Sequence, residues 1–565
     1  MENREPFSEP EESGQPHNAT GDSPSYDPHP QGQHGAPQNT GLGGPDGHDY
    51  GTGQQNTGEA GQQNAGPFSS AGHHEPESWS DPYRQPSSPT MPSGEKGRSI
   101  TALTFASWIL IVFLTLFLFA TTVYEQFNPS ASVGDASAGD LMQINLQAKM
   151  MVGQNAIAPP AVLPPELDTG PPEARWCFSI LTGEFDDTET ALKHLDETDD
   201  LIREQDYELT EDQLRLRSLI GEIIEIHDAG DYDTEYLADG DQQFVKDRLG
   251  FCGRLLLHPE GSGDSQERNQ LVGEAQRALI IMMLVVLGGG AALVAGIIVS
   301  IVFLVKVSSG TLYRFFEAPR SNGGIYAETF AIWMVMFIGG QLTAAIALSN
   351  VLSEIGMMFV MAGVFFASLL VLAWPVIRGI PFSQVRKDIG WELKNPFVEA
   401  VLGAISYVSM LPAMFVALIL AVIIMGFVSA ASGGSENDLT NAGAQGHPIQ
   451  EQIAQGNPLL FLGVFLTACV AAPIVEETMF RGVLYRHMRE SSWRWGSAMT
   501  VMVSALISSL IFAAIHPQGL FGIPILTTLA VGFCFVREWR GSLIGPMVMH
   551  AINNSIVTCL LFSIM

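Results

Sequence analysis

Toward the C-terminus of this 565-residue chain, six polar side chains have the types and spacing to do chemistry: Glu476, Glu477, Arg481, His516, His550 and Asn554. Each stands in or beside a long apolar run, and an ionisable group held at membrane depth is costly enough to be a functional candidate by default. Adjacent residues on a helix point about 100° apart, so the two glutamates cannot do the same job. Glu477 and Arg481 are spaced i,i+4 and can form an ion pair that anchors their helix. Glu476 is then left to face a cavity, the position a general base needs. His550 and Asn554 share one helical face. A base that activates water, together with donors for a developing oxyanion, is the equipment of hydrolysis.

Each feature also has a blander reading. A Glu-Glu pair followed by Arg can mark the membrane boundary, and a lone His on an apolar face is more often a hydrogen-bonded core residue than a functional one. Glu, His and His-Asn on three separate apolar spans within 79 residues argue against that reading. The three elements, Glu-Glu-x-x-x-Arg at Glu476–Arg481, Phe-x-x-x-His at Phe512–His516 and His-x-x-x-Asn at His550–Asn554, resemble the signature motifs of the CPBP family. That family comprises the CAAX prenyl proteases of the Ras-converting type and their relatives linked to bacteriocin processing or immunity. Gly541–Pro546, ahead of the last His, is similar as well, and the resemblance covers roughly residues 459–560.

The resemblance implies an intramembrane endopeptidase acting on a membrane-associated protein or peptide. It assigns Glu476 and His516 to water activation, His550 and Asn554 to the oxyanion hole, and Glu477 and Arg481 to support. No cofactor is expected. The alternative is Zn2+ held by Glu476, His516 and His550, since two His and a Glu can fill a catalytic zinc shell; no His-Glu-x-x-His helix accompanies them. Two other function classes stay open: a non-catalytic scaffold or immunity protein binding a partner in the same cavity, and a transporter using the carboxylate and His as a proton relay. No inverted repeat or pair of broken helices favours the transporter.

The elements that must position these residues are membrane spans. A helix crossing a hydrocarbon core of ~30 Å needs about 20 mostly apolar residues. Such runs occur at Ile100–Tyr124, Ala278–Val305, Tyr326–Asn350, Met357–Ile377, Phe397–Ala431, Leu459–Val475, Gly496–Ile515, Leu520–Val536 and Ser542–Met565. The expected fold is therefore an all-α polytopic membrane protein of about nine transmembrane helices, with a small helical extramembrane domain between the first two. Charge divides the same way. The net charge of −31 coexists with 46% hydrophobic residues and a mean hydropathy of +0.19. Residues 1–98 hold 14 acidic against 4 basic residues, residues 125–277 hold 32 against 11, and residues 278–565 balance at 13 each. A single soluble globule is excluded, and so is nucleic-acid binding, for which no segment supplies the positive footprint.

Basic residues cluster after alternate spans: Lys306, Arg314 and Arg320; Arg378, Arg386, Lys387 and Lys394; Arg481 to Arg494; Arg537 and Arg540. Lys96 and Arg98 precede the first span, and residues 432–457 have no Lys or Arg. The positive-inside bias then puts the N-terminus in the cytosol of a multi-pass protein, with the plasma (inner) membrane of a bacterium as the expected location. The expected organisation is a disordered cytosolic tail (1–98), a first transmembrane helix (99–124), an acidic, mainly helical extracytoplasmic domain (125–277), transmembrane helices of unassigned role (278–456) and the CAAX-protease-like membrane domain (457–565). The tail's six histidines read as part of a solvated segment rather than a metal site. In the acidic domain Leu209, Leu214, Leu216, Leu219, Ile220, Ile223 and Ile224 recur at helical steps. Cys177 and Cys252 could pair there or remain buried thiols. Gly288–Gly290 sits in mid-span, where glycine serves close helix packing. One conflict remains: the basic loops place Glu476 and His516 near opposite ends of consecutive spans. Either Leu459 to about Arg489 is one long helix with Glu476 near its middle, or His516 ends a span that stops short.

Overall fold

The computed structural model describes residues 101–127, 138–159, 161–232, 236–263, 265–311, 323–392, 395–432, 458–492 and 497–564. The expected tail (1–98), its histidines, Lys96 and Arg98, the basic residues Arg314, Arg320, Lys394 and Arg494, and all but the first residue of the 432–457 loop lie outside them. The described elements are helical throughout.

Helix α1 (Ala102–Phe127) is followed by the extramembrane helices α2 (Ala138–Ile157), α3 (Pro172–Phe185), α4 (Thr188–Glu204), α5 (Glu211–Asp228), α6 (Asp239–Leu249) and α7 (Phe251–Leu257). Local chemistry starts several of these. Asp187 caps α4 by accepting from the Thr190 N–H at 2.7 Å, and Thr210 with Gln213 forms a reciprocal capping box at α5. The periodic apolar residues of α5 bury Leu216, Leu219, Ile220, Ile223 and Ile224 in one core with Trp176, Leu195, Val245 and Leu255. Leu209 packs at its edge, whereas Leu214 points outward.

Helix α8 (Gln266–Ser308) leaves this core and continues as a membrane span; its 43 residues reach about 65 Å. A Cβ on Gly153 of α2 would lie 2.6 Å from the Ala275 carbonyl, so the two helices touch backbone to backbone. The following helices are α9 (Ile325–Leu348), α10 (Glu354–Ser368), α11 (Ala373–Ile377), α12 (Phe382–Ile389) and α13 (Pro396–Ser432), then α14 (Pro458–Ser492), α15 (Ser497–Ala514), α16 (Gly519–Arg540) and α17 (Ile544–Ile564). Eight helical segments among the described residues are long and apolar enough to cross a membrane, and the apolar part of α15, Ala498–Ala514, is shorter. The protein is an all-α, multi-pass membrane protein, and of the nine expected spans the one at Gly496–Ile515 is the short one.

Helices N-terminal to the motif region brace it. Glycines permit the closest contacts: a Cβ on Gly403 of α13 would lie 2.7 Å from the Gly545 carbonyl at the start of α17, and one on Gly296 of α8 would lie 2.4 Å from the Val408 carbonyl of α13. Gly288–Gly290, by contrast, face nothing within 4 Å among the described residues, so the expected close packing is made by Gly296 instead. Buried acids tie the helix ends. Glu328 on α9 accepts from Arg378 (2.7 Å), Trp374 Nε1 (3.1 Å) and the Thr101 and Thr104 hydroxyls (both 3.3 Å). Asp388 on α12 accepts from the Tyr326 hydroxyl (2.7 Å) and pairs with Arg486 (3.0 Å). Glu538 on α16 pairs with Arg489 (2.7 Å), and Arg540 with Glu399 (2.6 Å). Such pairs offset much of the desolvation that a lone buried charge would suffer.

Candidate active site

The apparent conflict in depth is resolved on both sides. α14 is one run of 35 residues, about 52 Å long against a ~30 Å hydrocarbon core, and Glu476 lies near its midpoint. α15 ends at Ala514, so His516 follows a helix that stops short. Two π-helical stretches, Leu466–Ala471 and Thr478–Leu484, flank the α-helical turn Ala472–Glu477 that carries both glutamates. Such wide turns rotate the residues beyond them relative to a regular helix and recur at functional sites.

Glu476, His516 and His550 come together from α14, the end of α15 and α17. Glu476 Oε2 lies 3.7 Å from His516 Nε2 and 3.9 Å from His550 Nε2. It is buried with no hydrogen-bond partner among the described residues. The second ring nitrogens fix the orientation of both histidines. His516 Nδ1 is 2.5 Å from the Phe512 carbonyl, which can only accept, so Nδ1 carries a proton and Nε2 is the ring nitrogen that faces Glu476. The Phe-x-x-x-His spacing makes this bond, because Phe512 is one helical turn before His516. His550 Nδ1 donates to Glu477 Oε1 at 2.9 Å, again leaving Nε2 toward Glu476.

Glu477 is 0% exposed and also accepts from Arg481 Nη1 at 2.9 Å, the expected i,i+4 pair. The Arg481 guanidinium lies over the Phe512 ring (4.5 Å to the centroid) and the Phe533 ring (4.9 Å). Phe533 stacks on His550 at 5.5 Å, so one aromatic wall steadies both the cation and the imidazole. Asn554 Nδ2 donates to the Ala468 carbonyl at 2.7 Å, inside the first π-helical stretch, and Asn554 Oδ1 accepts from Asn553 Nδ2 at 3.2 Å. Asn554 thus fastens α17 to α14, a contact that residue spacing did not reveal.

Other contributors escaped the sequence reading. Trp391, in the chain between α12 and α13, donates from Nε1 to the Thr478 hydroxyl at 3.0 Å, one residue beyond Glu477. Phe533 carries no sequence signal beyond its place in an apolar span. Zinc is a poor match to the three groups. Ligands bound at about 2.0 Å in a tetrahedral shell stand about 3.3 Å apart, closer than the 3.7 and 3.9 Å found. No trio of His, Cys, Asp or Glu among the described residues is arranged to hold a metal ion.

This arrangement spans the segment in which comparison with known proteins finds its match. Residues 458–556 match the family model described as type II CAAX prenyl endopeptidase, Rce1-like. It is the family that the three motifs resemble, and the match begins with α14 and ends just past Asn554. An uncharacterized 24.3 kDa protein of Escherichia coli is 34% identical over 93 residues, which are 15% of this chain. The chain spans 38% of that relative's length. No solved structure matches the chain.

Proposed function

We propose that this protein is an intramembrane endopeptidase of the CAAX-protease type, hydrolysing a peptide bond of a membrane-associated protein or peptide. The observation that carries the proposal is the meeting of Glu476, His516 and His550 from three separate segments, with Glu476 Oε2 between the two Nε2 atoms and each imidazole held through its Nδ1 by a protein acceptor.

Glu476 Oε2 and His516 Nε2 are both acceptors when the imidazole is neutral. A water donating one proton to each would present its oxygen lone pair to a scissile carbonyl carbon, with the carboxylate as base. Glu476 then holds the proton that the leaving amine needs when the tetrahedral intermediate collapses. His550, protonated at Nε2, donates to the oxyanion, and the Glu477 carboxylate on its Nδ1 side stabilises that imidazolium. With Glu476 and Glu477 negative and Arg481 and His550 positive, the four charges sum to zero, which limits the cost of burying them. Asn554 keeps α17 in register with α14 and supplies its second amide N–H as a further donor. This scheme needs no metal.

Residues 457–565 hold the whole reacting set in this reading, and α13 serves as their buttress. The distribution of Lys and Arg supports a cytosolic N-terminus. The reading is tested by comparing the membrane peptidome of cells carrying wild type and the Glu476→Gln variant. A membrane protein that accumulates uncut only with the variant supports the proposal. Identical peptidomes, with equal amounts of both proteins in the membrane, contradict it.

A further inference from the structure

The extramembrane core holds two cysteines that the reaction does not use. Cys177 lies on α3 and Cys252 on α7, and both are 0% exposed. Separate anchors fix each one. Arg175, two residues before Cys177, donates from Nε to the Gly170 carbonyl (3.1 Å) and from Nη1 to the Asp168 carbonyl (3.0 Å). The Cys252 N–H donates to Asn145 Oδ1 on α2 at 2.8 Å. Gly250 packs against the same Asn145 side chain at φ +63°, a conformation glycine adopts without steric cost. A Cβ on Gly253 would lie 2.4 Å from the Val245 carbonyl, so only glycine lets α7 start this close to α6.

Held in this way, the two side chains lie beside one another in a single buried core, each a free thiol. Burial, and then the Cys252 thiol beside it, hold the Cys177 thiol well above the usual range. Such a thiol is a poor nucleophile and a poor metal ligand once the domain is folded. No further metal-ligating side chains join the pair among the described residues, so it does not form part of a zinc shell.

We propose that Cys177 and Cys252 are joined as a disulfide while the extramembrane domain folds, on the oxidising side of the membrane. The charge bias places this domain opposite the basic loops, in the compartment where disulfides persist. Before the core closes, the thiolate of one cysteine attacks a disulfide-bearing thiol oxidant. The oxidant's S–S bond breaks and a mixed disulfide forms. The second cysteine, also as thiolate, displaces the oxidant. One S–S bond is made and one broken, and two electrons and two protons leave the pair for the oxidant, which departs as a dithiol. The bridge ties α3 to α7 across 75 positions of chain and does not depend on the proteolytic reading.

Counting free thiols in the full-length protein tests the proposal. Membranes are dissolved in denaturant containing a maleimide-polyethylene glycol, with and without prior reduction, and each labelled cysteine adds one mass step on a gel. The chain has five cysteines. The expected result is three steps without reductant and five with it. Five steps without reductant overturn the proposal. Cys177→Ser should give four steps under both conditions. Cys559→Ser, an exposed position outside the domain, should keep the difference, giving two and then four. Loss of the difference in Cys559→Ser would place the bridge elsewhere and also overturn the assignment.

Discussion

Replacing Glu477 with glutamine removes one charge from the buried group of Glu477, Arg481 and His550 while keeping its shape. The magnitude follows from what Arg481 retains. Its ion pair at 2.9 Å is lost, and the rings of Phe512 and Phe533, at 4.5 and 4.9 Å, remain. Cation–π contacts are worth about 0.5–2 kcal/mol each, against about 3–5 kcal/mol for leaving a buried charge uncompensated. Glu477→Gln should therefore cost about 3 kcal/mol. Arg481→Gln alone should also be destabilising, because the buried carboxylate loses its guanidinium partner and keeps only the His550 Nδ1–H at 2.9 Å. The double variant removes both charges and should cost far less than the sum, giving a coupling of about 2 kcal/mol or more. The assay is SDS-induced unfolding of the purified protein in detergent micelles, followed by tryptophan fluorescence. Additivity of the two single variants within about 0.5 kcal/mol would refute the ion pair as the organising contact of the site.

Three further outcomes are expected. Asn554→Ala removes the 2.7 Å bond to the Ala468 carbonyl and an amide donor, and should lower kcat by about 10²–10³-fold with little change in KM, as measured on reconstituted enzyme. Gly403→Val places a side chain where a Cβ would already lie 2.7 Å from the Gly545 carbonyl; it should destabilise the protein by about 1–3 kcal/mol in the same unfolding assay and reduce cleavage by displacing α17. His227 in the extramembrane core is held by burial at a pKa of about 4, below its unfolded value, so the unfolded chain binds the extra proton first. Its contribution is present above the unfolded value near 6.5 and is lost as pH falls toward 4. Hydrogen exchange of α5 should show wild type losing about 2–3 kcal/mol more than His227→Phe across that window, and equal losses would remove His227 as the cause.

Residue types and spacing pointed to side chains that the structure brings together and said little of their geometry. Glu476, His516 and His550 were legible because a charged or titratable side chain interrupts an apolar run only at a cost. Glu328 and Asp388 were not singled out, because their partners Arg378 and Arg486 are far along the chain and no local spacing announces them. The two π-helical stretches around Glu476 had no signal, because a wide turn reflects tertiary contacts such as Asn554 on the Ala468 carbonyl and Trp391 on Thr478 rather than propensity. Hydropathy alone ended the sixth span at Val475. The helix runs on to Ser492 because Arg481, Arg486 and Arg489 are each paired inside the protein. In α5 the apolar period was right, but it could not show that Leu214 falls on the solvent side of the stripe.

The most direct test of the central claim uses purified enzyme in proteoliposomes with a membrane protein that accumulates uncut in cells carrying Glu476→Gln. Wild type should cleave that protein, and Glu476→Gln, folded and thermally as stable as wild type, should leave it intact. Cleavage by Glu476→Gln at the wild-type rate would contradict the account.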